Sequence, residues 1–200
     1  MKPYILHDNV TLGDGTVVEP YCILGTPPRG ANDGELPTTI GDGSVIRSHT
    51  VIYAGNVIGR NFQTGNKVNV RELNRIGNDV SIGTMSVVEH HVEIGNNVRI
   101  HTQAFIPEYS VLEDGCWIGP NVVLTNAKYP LSPGVKDQLA GAVIKKGAKI
   151  GANATILPGV VVGENALVGA GSVVVRDVPA GAVVVGNPAR VVNQISQLPY

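Results

Sequence analysis

The chain has 200 residues, 15 Lys and Arg against 16 Asp and Glu, and a formal net charge of -1. That balance argues against nucleic acid as the main partner, because such proteins favour a basic surface. No apolar run of about 18 residues and no basic segment leading into an apolar core occurs, so no membrane span or signal peptide is expected and the cytoplasm is the expected location.

Taken in order, the chain opens with aliphatic residues six apart: Leu6, Leu12, Val18 and Leu24. Residues 25–39 (GTPPRGANDGELPTT) then read as a loop rich in Gly, Pro and polar side chains. The step of six resumes at Ile40 and runs without a break to Leu124, and Thr64 alone in that run is not aliphatic. A helix needs a period of 3.6 and a strand a period of 2, and neither fits. A period of six means an all-β parallel β-helix. A second loop, 125–143, carries Tyr129-Pro130-Leu131-Ser132-Pro133-Gly134, after which the step returns at Ile144, Ile150, Ile156, Val162, Val168 and Val174. After Pro179 it dissolves. The expected organisation is one solenoid over 1–179 with two loop insertions, closed by a segment over 180–200 that carries a short helix. The 25 glycines and few aromatic residues suit a narrow prism with tight corners. Cys22 and Cys116 fall at inward, small-residue positions, so they are expected as buried packing and not as a disulfide framework.

Three hexads make a triangular coil, so residues 18 apart stack at roughly 4.7–4.9 Å. With Ile40 on the first face, Leu24, Val70, Val88, Ile106 and Leu124 lie on the third, and both loops leave from the corner that follows it. The same corner stacks Glu72, His90, Glu108 and Asn126 in one column, and Leu73, His91, Tyr109 and Ala127 beside it. The first corner carries ordinary turn pairs such as Gly77-Asn78 and Gly95-Asn96. The second carries His49 and Gln103, with His101 just before the turn. A histidine between two carboxylates can be oriented through one ring nitrogen and accept a proton on the other. Asn126 could donate to an oxyanion or hold an amine.

The hexad repeat, the late loop and Gly186-Asn187-Pro188-Ala189-Arg190 resemble the hexapeptide-repeat acyltransferases. The likeness is strongest to sugar-nucleotide N-acetyltransferases, such as those acting on dTDP-3-amino-3,6-dideoxyhexoses. Residues 118–126 and 145–159 (KKGAKIGANATILPG) also carry it. The resemblance implies a left-handed helix, a homotrimer and transfer of an acetyl or short acyl group to the amine of a nucleotide-linked amino sugar or other small amine. It implies acetyl-CoA as the co-substrate and no metal. Within Val88-Glu89-His90-His91-Val92, His90 falls at the position of the family's catalytic base. His91 stands where Asp is usual, which leaves Glu72 and Glu108 as substitute partners, and His101 is the alternative base. A Gly-rich corner could receive a pantetheine arm at Ala152, Gly169 and Ala170, with Lys145 and Arg190 meeting phosphates. Alternatives are an O-acetyltransferase of another small acceptor, a γ-type carbonic anhydrase using His90, His91 and His101, and a non-catalytic solenoid.

Overall fold

A computed structural model of the chain describes residues 3–199, so positions 1, 2 and 200 of the expected divisions lie outside the described residues. Each hexad forms a strand of about two residues, as in Val57–Ile58, Gln63–Thr64 and Asn69–Val70. The aliphatic second residue turns inward and is buried, while the first faces out. Neighbouring coils pair in parallel: Arg75 with Glu93, Ser81 with Arg99 and Asn69 with Val87. Repetition builds three sheets, the three sides of a left-handed parallel β-helix; among the described residues they hold eight, ten and nine strands, the ten including the closing hairpin. Face one contains Val57–Ile58, face two Gln63–Thr64 and face three Asn69–Val70.

The two insertions do not disturb the stacking. Leu12 pairs with Ile40 and Leu24 with Ile52 across the first, and Leu112 pairs with Ile144 and Leu124 with Ile156 across the second. Both interruptions therefore join face three to face one, as the spacing requires. The first is shorter than expected, because strands cover Ile23–Thr26 and Thr38–Ile40. The second holds a 3₁₀ turn at Val135–Gln138.

Inside, Ile46, Ile52, Ile82, Ile100, Ile106 and Ile118 are all buried. Burying such a side chain contributes about 1.5–3 kcal/mol each. Thr64, the break in the repeat, is buried too; its hydroxyl accepts from the Arg47 amide at 2.9 Å and meets the Thr50 hydroxyl at 3.3 Å. Both cysteines are free and buried. Burial pushes the Cys116 thiol up to about 12, so it stays protonated.

The closing segment differs from expectation. Ala182–Gly186 joins face two beside Leu167–Val168, and Ala189–Gln194 folds back on it antiparallel. Among the described residues a single 3₁₀ turn, Ile195–Gln197, follows. The β-branched runs Val183-Val184-Val185 and Val191-Val192 favour strands, and Gly186-Asn187-Pro188 turns between them. The hairpin covers the end of the prism, burying Ala182 and Val184.

Candidate active site

The corner after face three is built on two buried asparagines. Asn56 Oδ1 accepts from the Asn74 amide at 2.9 Å, and Asn74 Oδ1 accepts from the Val92 amide at 2.7 Å. The Nδ2 groups of both donate to the Arg71 carbonyl, at 2.7 and 2.8 Å. These bonds tie down the corner backbone from inside, so the outward side chains above it are not needed for that task. The corner also holds Leu73, His91 and Tyr109 in the left-handed region, with φ of 62, 56 and 64°. That conformation disfavours any side chain with a Cβ, and the corner after face two bears the same cost at His49, Lys67, Met85 and Gln103.

On this frame the sequence column becomes a chain of contacts. Asn126 Nδ2 donates to Glu108 Oε2 at 2.7 Å. The other Glu108 oxygen lies 3.7 Å from His90 Nε2. On the opposite edge of that ring, His90 Nδ1 lies 2.8 Å from His91 Nδ1. Tyr109 meets both imidazoles, at centroid distances of 6.0 and 5.7 Å. Glu72 stands apart from this chain, because Arg71 donates to its two oxygens at 2.8 and 3.0 Å. Arg71 also reaches Glu89 at 3.4 Å and lies 4.9 Å over the Tyr53 ring.

The electrostatics follow from these positions. Burial alone would raise the Glu72 carboxyl, but the Arg71 bonds outweigh it and the group titrates below its ordinary range. Glu89 moves the other way: burial raises it, Arg71 offsets part of this, and the Glu108 charge adds to the rise. Arg71 is the guanidinium among three carboxylates here, meeting Glu72 and Glu89 but not Glu108, so the excess of negative charge suits a cationic or amine ligand. A hollow lined by Gly55, Leu73, His91, Arg75 and Glu93 opens beside it.

The remaining expected site residues lie elsewhere. His101 is on the corner after face two, its ring 4.6 Å from Trp117, and its Nε2 is buried without a hydrogen-bond partner among the described residues. Burial, and then the Arg99 charge, lower its pKa, which favours the neutral ring. Ala152, Gly169 and Ala170 share that second corner, where coils approach so closely that a Cβ on Gly151 would meet the Ala170 amide at 2.5 Å. Lys145 belongs to the first corner and donates to Glu113 at 2.7 Å. Arg190 is on the closing hairpin and donates to the Ala189 carbonyl at 2.9 Å. The structure thus gathers His90, Glu108 and Asn126, keeps Glu72 at the same corner on a different partner, and separates His101. Residue patterning missed Arg71, Asn56 and Asn74. The last two replace the small or aliphatic residue usual at their position, which was the available signal.

The family described as bacterial transferase hexapeptide (six repeats) matches residues 75–108 and 141–176. Nodulation protein L of Rhizobium meliloti (strain 1021) is 42% identical over 125 residues, covering 56% of this chain and 68% of that protein. A 2,3,4,5-tetrahydropyridine-2,6-dicarboxylate N-acetyltransferase of Staphylococcus carnosus (strain TM300) is 57% identical over 56 residues, covering 28% of this chain and 23% of that enzyme. Among solved structures, a mutant GDP-perosamine N-acetyltransferase of Caulobacter crescentus in complex with CoA and GDP-perosamine aligns with a TM-score of 0.43 and 26% identity, over 70% of this chain and 57% of that one. The protein belongs to the hexapeptide-repeat transferase family.

Proposed function

We propose that this protein is an acetyl-CoA-dependent N-acetyltransferase acting on the amine of a small acceptor, an amino sugar carried on a nucleotide. The observation that carries the reading is the acidic corner around His90, with Glu108 pinned by Asn126 on one side of the ring. In the reaction the acceptor nitrogen attacks the thioester carbonyl carbon. A C–N bond forms, the C–S bond breaks, and the proton lost by the amine passes through His90 Nε2 to the departing thiolate. The products are the amide and free CoA. Glu108 lies 3.7 Å from the nitrogen that receives the proton, and general-base help of this kind is worth roughly 10²–10⁴-fold. Glu89 and Glu108 favour an amine over an anionic acceptor at the reacting end. The partial match to an enzyme named as an N-acetyltransferase supports the same acceptor class. Ala152, Gly169 and Ala170 are proposed for the pantetheine arm, with Lys145 and Arg190 for the phosphates. Lys145 would have to exchange Glu113 for that contact.

The reading includes a homotrimer, with the third corner in the cleft between copies. Its support is the outer surface of face three, where Ile23, Val51, Val87, Phe105, Val123 and Val173 form an apolar ladder interrupted by Asn69 and Thr155. On face one the outward ladder of Val57, Val111, Val143 and Val161 is interrupted by the charged Arg75 and Glu93. The deciding experiment follows thiol release from acetyl-CoA with a panel of nucleotide-linked amino sugars and their hydroxyl counterparts. Release with an amine and none with the matching hydroxyl is the expected result; release with hydroxyls alone overturns the amine assignment.

A further inference from the structure

We propose that His91 is a positioning residue that sets the tautomer of His90, accepting a hydrogen bond from His90 Nδ1–H and so leaving the lone pair on His90 Nε2 free. This rests on the reading of His90 as the base. Two rings whose Nδ1 atoms lie 2.8 Å apart must share one proton between those atoms, because two lone pairs at that distance repel. Two arrangements satisfy this. If His91 donates, His90 carries its own proton on Nε2, and the nearest carboxylate oxygen is Glu108 Oε1 at 3.7 Å, beyond hydrogen-bonding range. The second Glu108 oxygen is already engaged by Asn126 at 2.7 Å. If His90 donates instead, the displaced proton of His91 sits on its own Nε2, and His91 is exposed, so water satisfies it. Both rings are at least partly exposed, so water can meet either outer nitrogen; the second arrangement is the one in which His90 can take a proton from an amine, and the reading of His90 as the base selects it.

The same geometry divides the work between the two neighbours. His91 holds the Nδ1 proton before and after the transfer. Glu108, too far to fix the resting tautomer, faces the N–H that appears on Nε2 once the proton arrives. Other charged groups at the corner are Glu72, Glu89 and Arg71, and Arg71 is directed at the two glutamates and not at the imidazoles.

The test compares His91→Leu with His91→Asn. Leucine suits the backbone here, since Leu73 occupies the same column with φ of 62°. Asparagine keeps an acceptor oxygen and also tolerates that conformation. The expected result is a fall in kcat of about tenfold for His91→Leu with an unchanged KM for acetyl-CoA, and recovery of most of the rate in His91→Asn. Nitrogen-15 spectra of the imidazoles should show His90 protonated at Nδ1 in the parent and shifted toward Nε2 in His91→Leu. A parent His90 protonated at Nε2 overturns the proposal even where the variant does not fold, and so does an undiminished kcat in a folded His91→Leu. Full activity in His90→Ala removes the base assignment instead, and the parent spectrum then still decides the tautomer.

Discussion

The corners after face one and face three have the same backbone path, yet their side chains do opposite things. At the first corner Asp42, Asn78, Asn96 and Asp114 each turn back onto the chain, accepting from the amides of Asp14, Arg60, Asn78 and Asn96. The left-handed positions there are Gly43, Asn61, Asp79, Asn97, Gly115, Gly147 and Asn165, residues that adopt that conformation readily. At the third corner the equivalent column is Glu72, His90, Glu108 and Asn126, and its side chains contact other side chains. The left-handed positions are Gly55, Leu73, His91, Tyr109 and Gly159, and the middle three are residues that do not adopt it readily. The backbone is held from inside by Asn56 and Asn74 instead. One corner uses its polar side chains to make the fold. The other moves that task inward and keeps its polar side chains facing out, at some conformational cost.

Breaking the comparison at its functional end should give the largest effect. His90→Ala should lower kcat by about 10²-fold or more with little change in the KM for acetyl-CoA and in melting temperature. Steady-state kinetics beside a thermal melt would check this. A retained kcat would leave the third corner without its base. Next in size is the inner support. Asn74→Ala strands the buried Val92 amide and removes one of two donors to the Arg71 carbonyl. Unfolding by denaturant should show a loss of about 2 kcal/mol, with activity falling as the corner loosens.

How much of this the sequence carries depends on what a repeat can specify. A period of six places Cα atoms, so it located the faces, the 18-residue stacking, the corner shared by both loops and the column from Glu72 to Asn126. It does not specify rotamers. Nothing in the spacing says that Glu72 is bound by Arg71 while Glu108 faces His90, because the repeat places Arg71 one residue before the column without fixing where its long side chain reaches. Asn56 and Asn74 were legible only as exceptions to a small-residue rule. After Pro179 the short helix is confined to the 3₁₀ turn at Ile195–Gln197, because Val183-Val184-Val185 and Val191-Val192 are β-branched and continue face two as a hairpin. His101 looked equivalent to His90 as a residue type, but it belongs to a corner whose partners are Trp117 and Arg99.

The first corner should respond to truncation with stability alone. Asn96→Ala removes the acceptor for the Asn78 amide, which lies 2.9 Å from Asn96 Oδ1. A cost of about 1 kcal/mol is expected, because the group left unpaired is only partly buried and water can reach it. Catalytic constants of the folded variant should match the parent. A drop in kcat as large as that of Asn74→Ala would mean that the two corners are coupled and that the division of labour between them is false.

The smallest effect concerns acid. Glu72 titrates below its ordinary range in the folded protein because Arg71 outweighs the opposing effect of burial. A carboxylate with a depressed folded pKa contributes stability that is fully present above its unfolded pKa and is lost as the pH falls through the folded one. Glu72→Gln should therefore destabilise the protein at neutral pH and flatten the acid limb of its stability curve, so that the variant and the parent converge at low pH. Denaturant melts across that range would measure it. Curves that stay parallel would show that the Arg71–Glu72 pair at the third corner holds no net charge energy, leaving the inner asparagines as the source of that corner's rigidity.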